Sequence, residues 1–179
     1  MAMIVKYEEA RKSIRTGDPI GTHDPGLFAL GIRRVTQHHI NHIGGALWAW
    51  GRLFIMQADF VRGVHVVEFS TFLKQRSKSE VYWWPALIDN DVERELYAGT
   101  FATHFGTKYE KPKWMILRVM FRRDVPDNVR WFCSEIDAHS RRLAAPETYG
   151  EVLREPSKIW PKDIANLHGG MQKARRIVL

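Results

Sequence analysis

Between residues 40 and 58 the chain carries two runs of small and apolar residues, 40–50 and 53–58, with Trp50-Gly51 between them. Two such runs around a short turn read as a β-hairpin, although the turn is not the Asn-Gly or Asp-Gly that hairpins favour. The hairpin commits the middle of the chain to a sheet and fixes a register. If the turn is at Trp50-Gly51, Ala49 faces Arg52. Pairing then runs on to Gly44 opposite Gln57 and His42 opposite Asp59. On that register His42, Gln57 and Asp59 share one face.

The rest of the chain supplies helices around that sheet. Helical spacing or capping predicts helices over 3–14, 25–35, 91–105, 112–121 and 132–143, and a short last one from Pro161. In the 132–143 helix, Ile136, Ser140 and Leu143 are expected on one face. Extended stretches are expected at 19–22, 63–67 and 80–86. Helices flanking a small, mostly antiparallel sheet make an α+β fold. At 179 residues, with no repeat, low-complexity tract or linker, residues 1–179 read as a single domain.

Composition narrows the function classes. An apolar share of 45% argues against disorder. The lone cysteine cannot close an internal disulfide, so nothing depends on an oxidising compartment. The N-terminus lacks an apolar run after a basic start, and the 43–50 stretch is too short for a membrane helix; both lead to the expectation of a cytoplasmic protein with no transmembrane segment. The net charge of +7 is compatible with nucleic acid, an anionic cell wall or an anionic membrane. The basic residues fall in small scattered groups such as Arg33-Arg34, Arg122-Arg123 and Arg141-Arg142, with no long block or helical stripe. A nucleic-acid partner is therefore not expected.

Cys133 stands where an extended stretch, 129–132, runs into a helical one. A free thiol is mostly protonated at neutral pH, and two aids activate it: the positive end of a helix and a neighbouring imidazole. Glu135 and Asp137 are the carboxylates a first helical turn prefers, which places the sulfur at that end. Among the eight histidines, His139 lies six residues along the same helix, about 600 degrees round, and points away. His38 and His39 precede the strand and read as loop residues. His42, at the strand entrance beside two polar residues on its own face, is the expected base. Gln57 and Asp59 are rival groups to orient it, as the third member of a triad does. His38 and His42 are spaced as metal ligands on a helix would be, but no carboxylate or cysteine at fitting spacing joins them, so neither a metal nor another cofactor is expected.

At these residues the chain resembles the circularly permuted branch of the NlpC-type papain-like peptidases and amidases, the YiiX-like proteins. Asn41-His42-Ile43-Gly44-Gly45 is similar to that family's histidine strand, Phe54-Ile55-Met56-Gln57-Ala58 to the strand after it, and Phe132-Cys133-Ser134-Glu135-Ile136 to its nucleophile segment. Supporting likenesses lie at Arg15-Thr16-Gly17-Asp18-Pro19-Ile20, Gly63-Val64-His65-Val66-Val67, Phe105-Gly106-Thr107-Lys108-Tyr109 and Trp160-Pro161-Lys162-Asp163-Ile164. The cysteine follows the histidine, the order of the permuted branch. Two positions depart from the pattern: Gln57 stands where His, Glu or Asn is common, and Asn41 where a serine precedes the histidine.

The resemblance implies a permuted papain-like fold, a half-barrel of sheet with helices, and a thiol hydrolase. In it Cys133 attacks a carbonyl, His42 moves the proton, Gln57 orients His42, and Tyr109 lies near the site or packs under the sheet. The expected substrate is a peptide or amide of peptidoglycan, an anionic cell wall suiting the basic chain, with a lipid amide or ester as the alternative. A second alternative is an inactive papain-like module, its cleft filled by Trp48, Trp50, Trp83 and Trp84.

Overall fold

A computed structural model describes residues 2–109 and 130–179. The hairpin lies where the sequence puts it, as β3 (His42–Ala49) and β4 (Arg52–Asp59). Ala49 pairs with Arg52, and the ladder runs to Gly45 opposite Met56. Trp50 and Gly51 both have positive φ, 50° and 71°. A type I′ turn asks for that at both central positions. Trp50 meets the demand without being Asn or Gly, and its exposed ring packs edge-on against Phe54.

Around the hairpin the chain builds one seven-stranded sheet in the order β1-β9-β6-β2-β3-β4-β5. Its other strands are β1 (Met3–Lys6), β2 (Pro19–His23), β5 (Gly63–Glu68), β6 (Glu80–Trp83) and β9 (Arg175–Val178). Neighbours are antiparallel except β1 and β9, which run parallel. That pair corrects the first helix. Residues 3–6 are a strand, because β9 from the far end of the chain offers β-prone Ile4 and Val5 a ladder that local spacing cannot reveal. The helix that follows, α1, is only Tyr7–Ser13.

Among the described residues the remaining α-helices are α2 (Leu27–Thr36), α3 (Phe69–Gln75), α4 (Asp91–Ala102), α5 (Cys133–Ala144), α6 (Pro146–Tyr149), α7 (Pro161–Leu167) and α8 (Gly170–Lys173). A short parallel pair, β7 (Lys108–Tyr109) with β8 (Arg130–Trp131), precedes α5. The helix expected at 112–121 lies outside the described residues. Apolar side chains alternate along β4: Leu53 and Ile55 enter one core cluster with Phe69, Phe72 and Trp83, while Met56 and Ala58 enter the other with Tyr97, Phe101 and Ile136. On α5, Ile136 and Ser140 are buried as expected, but Leu143 is half exposed. The buried face turns instead through Asp137, Arg141 and Ala144. No helix among the described residues is long and apolar enough to cross a membrane.

The two glycines after His42 fix how the helices approach the sheet. A Cβ on Gly45 would stand 1.9 Å from the Tyr97 hydroxyl, and one on Gly44 would stand 2.6 Å from the Met56 carbonyl oxygen. The bare backbone at Gly45 therefore lets the hydroxyl end of Tyr97 of α4 come up against β3 and donate to Asp137 of α5 at 2.6 Å. Gly45→Ala is expected to cost about 3 kcal/mol through overpacking, read as a lower urea midpoint with unchanged slope.

Candidate active site

Cys133 is the first residue of α5. The preceding Phe132 has extended backbone, and the Glu135 carboxylate reaches back to accept from the Phe132 N–H at 3.3 Å. Glu135 is the acidic group of the first turn, as the sequence suggests. Asp137 is not: it stands just past the first turn, fully buried, and its partners are Arg141 and Tyr97.

The buried sulfur faces the start of β3. The Cys133 thiol and the His42 imidazole act on each other's pKa across the cluster, and the Ile43 backbone N–H acts on the sulfur as well. The Tyr109 hydroxyl donates to Sγ at 3.9 Å. On the other side of the imidazole, His42 Nε2 donates to the Gln57 amide oxygen at 2.8 Å. With Nε2 occupied, Nδ1 is the nitrogen left for the thiol. Cys133, His42 and Gln57, on three separate elements, thus meet in one buried cluster.

Electrostatics in the cluster work against burial and overcome it. Burial would raise the pKa of the thiol, but the His42 charge and its hydrogen bond bring it below the ordinary cysteine value. Burial would likewise lower His42, and the negative sulfur raises it above an ordinary histidine. Both shifts favour thiolate beside imidazolium. Tyr109 is held fully protonated, first by burial and then by the same negative sulfur.

Asp59 is not the orienter of His42. The β3–β4 ladder ends at Gly45, so the strands have parted before Asp59 could stand opposite His42, whose partner on the other edge of β3 is Thr22 of β2. The Asp59 carboxylate accepts from the backbone N–H groups of Val61 and Arg62 and pairs with the Arg62 guanidinium at 3.1 Å. His139 packs edge-on against His104. His38 Nδ1 accepts from the Ile40 N–H. The tryptophans do not fill the site. Trp83 and Trp84 are core residues donating to Asp18 and the Gly170 carbonyl, Trp48 donates to the Ile14 carbonyl, and Trp50 tips the hairpin. None of the four lines a cleft at the cluster.

Two hollows meet there. His42, Gln57 and Tyr109 line an open cleft of about 530 Å³ whose other walls include Leu27, Phe28 and Arg76. Cys133 lines a smaller, apolar hollow with Phe132, Ile159 and Trp160, and Ile32, Asn41 and Tyr109 border both. Sequence reasoning missed the ion pair of Asp24 with Arg76, 2.5 Å apart in the cleft wall. Burial works to raise the Asp24 pKa, but Arg76 and His42 drive it far below the carboxylate range. The pair joins residues from β2's end and α3's end, and no spacing in the chain announces it. Also unforeseen is the group of His23, His39 and Glu80, whose donor atoms lie within 4.8 Å of one another, the one such trio among the described residues. It could accept a cation only by giving up bonds already made, because Glu80 takes His39, the Tyr82 hydroxyl and Arg176.

No family model and no curated protein matches the chain in sequence. Among solved structures, the metalloprotein YiiX of Escherichia coli O157:H7 superposes with a TM-score of 0.59 at 16% identity, over 74% of this chain and 67% of that one. The likeness is one of fold: a mixed sheet-and-helix architecture shared with YiiX.

Proposed function

We propose that the protein is a thiol hydrolase on a permuted papain-like scaffold, cleaving an amide or ester bond. The observation that carries the reading is the buried Cys133–His42–Gln57 cluster, with the sulfur at the start of a twelve-residue helix. The Cys133 thiolate attacks the substrate carbonyl carbon, forming a carbon–sulfur bond and a tetrahedral oxyanion. In this reading the Tyr109 hydroxyl, which donates to the sulfur at rest, turns to donate to that oxyanion. His42 passes its proton to the leaving nitrogen or oxygen as that bond breaks, leaving an acyl-thioester. A water then gives a proton to His42 and attacks the thioester, releasing the acid and regenerating the thiolate. Gln57 holds the imidazole through the turnover without adding charge.

The substrate we favour is a peptide or amide of peptidoglycan, on the net charge of +7. Purified cell wall incubated with the protein is expected to release stem peptides, and Cys133→Ala is expected to release none. A lipid amide or ester is the second reading, favoured by exposed Leu27, Phe28 and Phe60 around the cleft. Turnover of lipid amides with no release from cell wall would select it.

A further inference from the structure

We infer that His65 is a positioning residue of this site, fixing through Gln57 which nitrogen of His42 carries the hydrogen and so leaving the nitrogen that faces the thiol free to take its proton. The inference rests on the Cys133–His42 reading above. His42, Gln57 and His65 form a polar row across β3, β4 and β5, adjacent strands of the sheet. Gln57 and His65 are direct partners in the β4–β5 register, so their side chains leave the same face.

With His65 neutral, the row has one consistent set of protons. His65 Nδ1 stands 2.9 Å from the Gly63 carbonyl oxygen, which can only accept, so Nδ1 carries the hydrogen. In the neutral ring Nε2 is then a bare lone pair, and burial holds this imidazole below the ordinary histidine pKa. The Gln57 nitrogen lies 3.1 Å from that lone pair and donates to it. An amide that presents its NH₂ group to His65 must present its oxygen to His42. His42 Nε2 therefore carries a hydrogen, and Nδ1 keeps the lone pair that can take the thiol proton. With the amide turned over, its NH₂ group would face His42 Nε2. The lone pair would move to Nε2 and leave Nδ1–H against the sulfur, the tautomer that cannot act as base.

Asp59 also lies 3.3 Å from His65 Nε2. Its charge is held by Arg62 and by the turn amides, which leaves His65 free to stay neutral and serve Gln57. So Asp59, Arg62 and His42 are the charged or titratable groups acting on His65.

The test compares iodoacetamide alkylation of Cys133 near neutral pH in the wild type and in His65→Phe, which keeps a ring but removes the acceptor. The expected slowing is about ten-fold, the worth of one lost orienting hydrogen bond. In a Gln57→Glu background both ends of the side chain accept, there is no amide to orient, and adding His65→Phe is expected to change the rate less than about two-fold. Equal slowing in both backgrounds would mean a merely structural role and overturn the inference. If His65→Phe does not fold, long-range ¹H–¹⁵N correlation of the wild-type imidazoles decides. Neutral His65 with its hydrogen on Nδ1 is expected, and a charged ring or an Nε2–H tautomer overturns it. An unreactive wild-type thiol would instead overturn the hydrolase reading, so the two failures are distinguishable.

Discussion

Arg141→Ala is expected to cost about 3–5 kcal/mol of folding stability, enough to leave much of the protein unfolded at physiological temperature. The guanidinium is fully buried. It donates to Asp137 at 2.7 and 3.0 Å and to the Gly17 carbonyl at 2.8 Å, and it lies over the Tyr97 ring at 4.9 Å. Burial acts to lower its pKa, but the Asp137 carboxylate more than offsets this and the group stays charged. Truncation strands the Asp137 carboxylate in the core with only the Tyr97 hydroxyl for company. Because the attraction repays desolvation only while both partners stand, the paired change Asp137→Leu with Arg141→Met is expected to recover most of the loss. Urea denaturation of the single and double variants reads both results. The pair also clamps α5 to the turn before β2, and α5 carries the sulfur, so Arg141→Ala should lose activity in step with folded protein.

The second large effect is on chemistry. His42→Ala is expected to lower kcat by about 10³-fold or more while leaving the melting temperature close to the wild type. The imidazole both takes the thiol proton and returns it to the leaving group, so its loss disables the attack and the departure together. Gln57→Ala is expected to do less. It removes an uncharged hydrogen bond, whose loss lets the ring turn but leaves the base in place. Steady-state kinetics on the substrate found in the cell-wall or lipid assay separates the two.

How much of this was legible in the chain depends on whether its cause was local. The hairpin register followed from alternation and the Trp50-Gly51 break, and with it the shared face of His42 and Gln57. Cys133 at a helix start could be read, before any partner was known, from the carboxylate two residues on, since Glu135 caps its own turn. The choice between Gln57 and Asp59 could not be read, because it turns on where the β3–β4 ladder stops, which alternation along either strand does not mark. The β1–β9 pairing and the Asp24–Arg76 contact join segments far apart in sequence and leave no periodic trace. Asp137 and Arg141, by contrast, stand at the four-residue spacing of a helical ion pair, a signal that was available. The Tyr97 and Gly45 contact that buries them was not.

The thiolate–imidazolium pair at Cys133 and His42 is tested most directly by the pH dependence of iodoacetamide alkylation, in the wild type and in His42→Ala. A lowered thiol pKa and a raised imidazole pKa both favour the ion pair. Wild-type alkylation should therefore rise with pH along a limb well below that of a free thiol, at about 8.5. The limb in His42→Ala should move up to that value or beyond, since burial without the imidazole raises the thiol. A wild-type protein that alkylates along the free-thiol curve, unchanged by His42→Ala, would contradict the pairing and the hydrolase built on it.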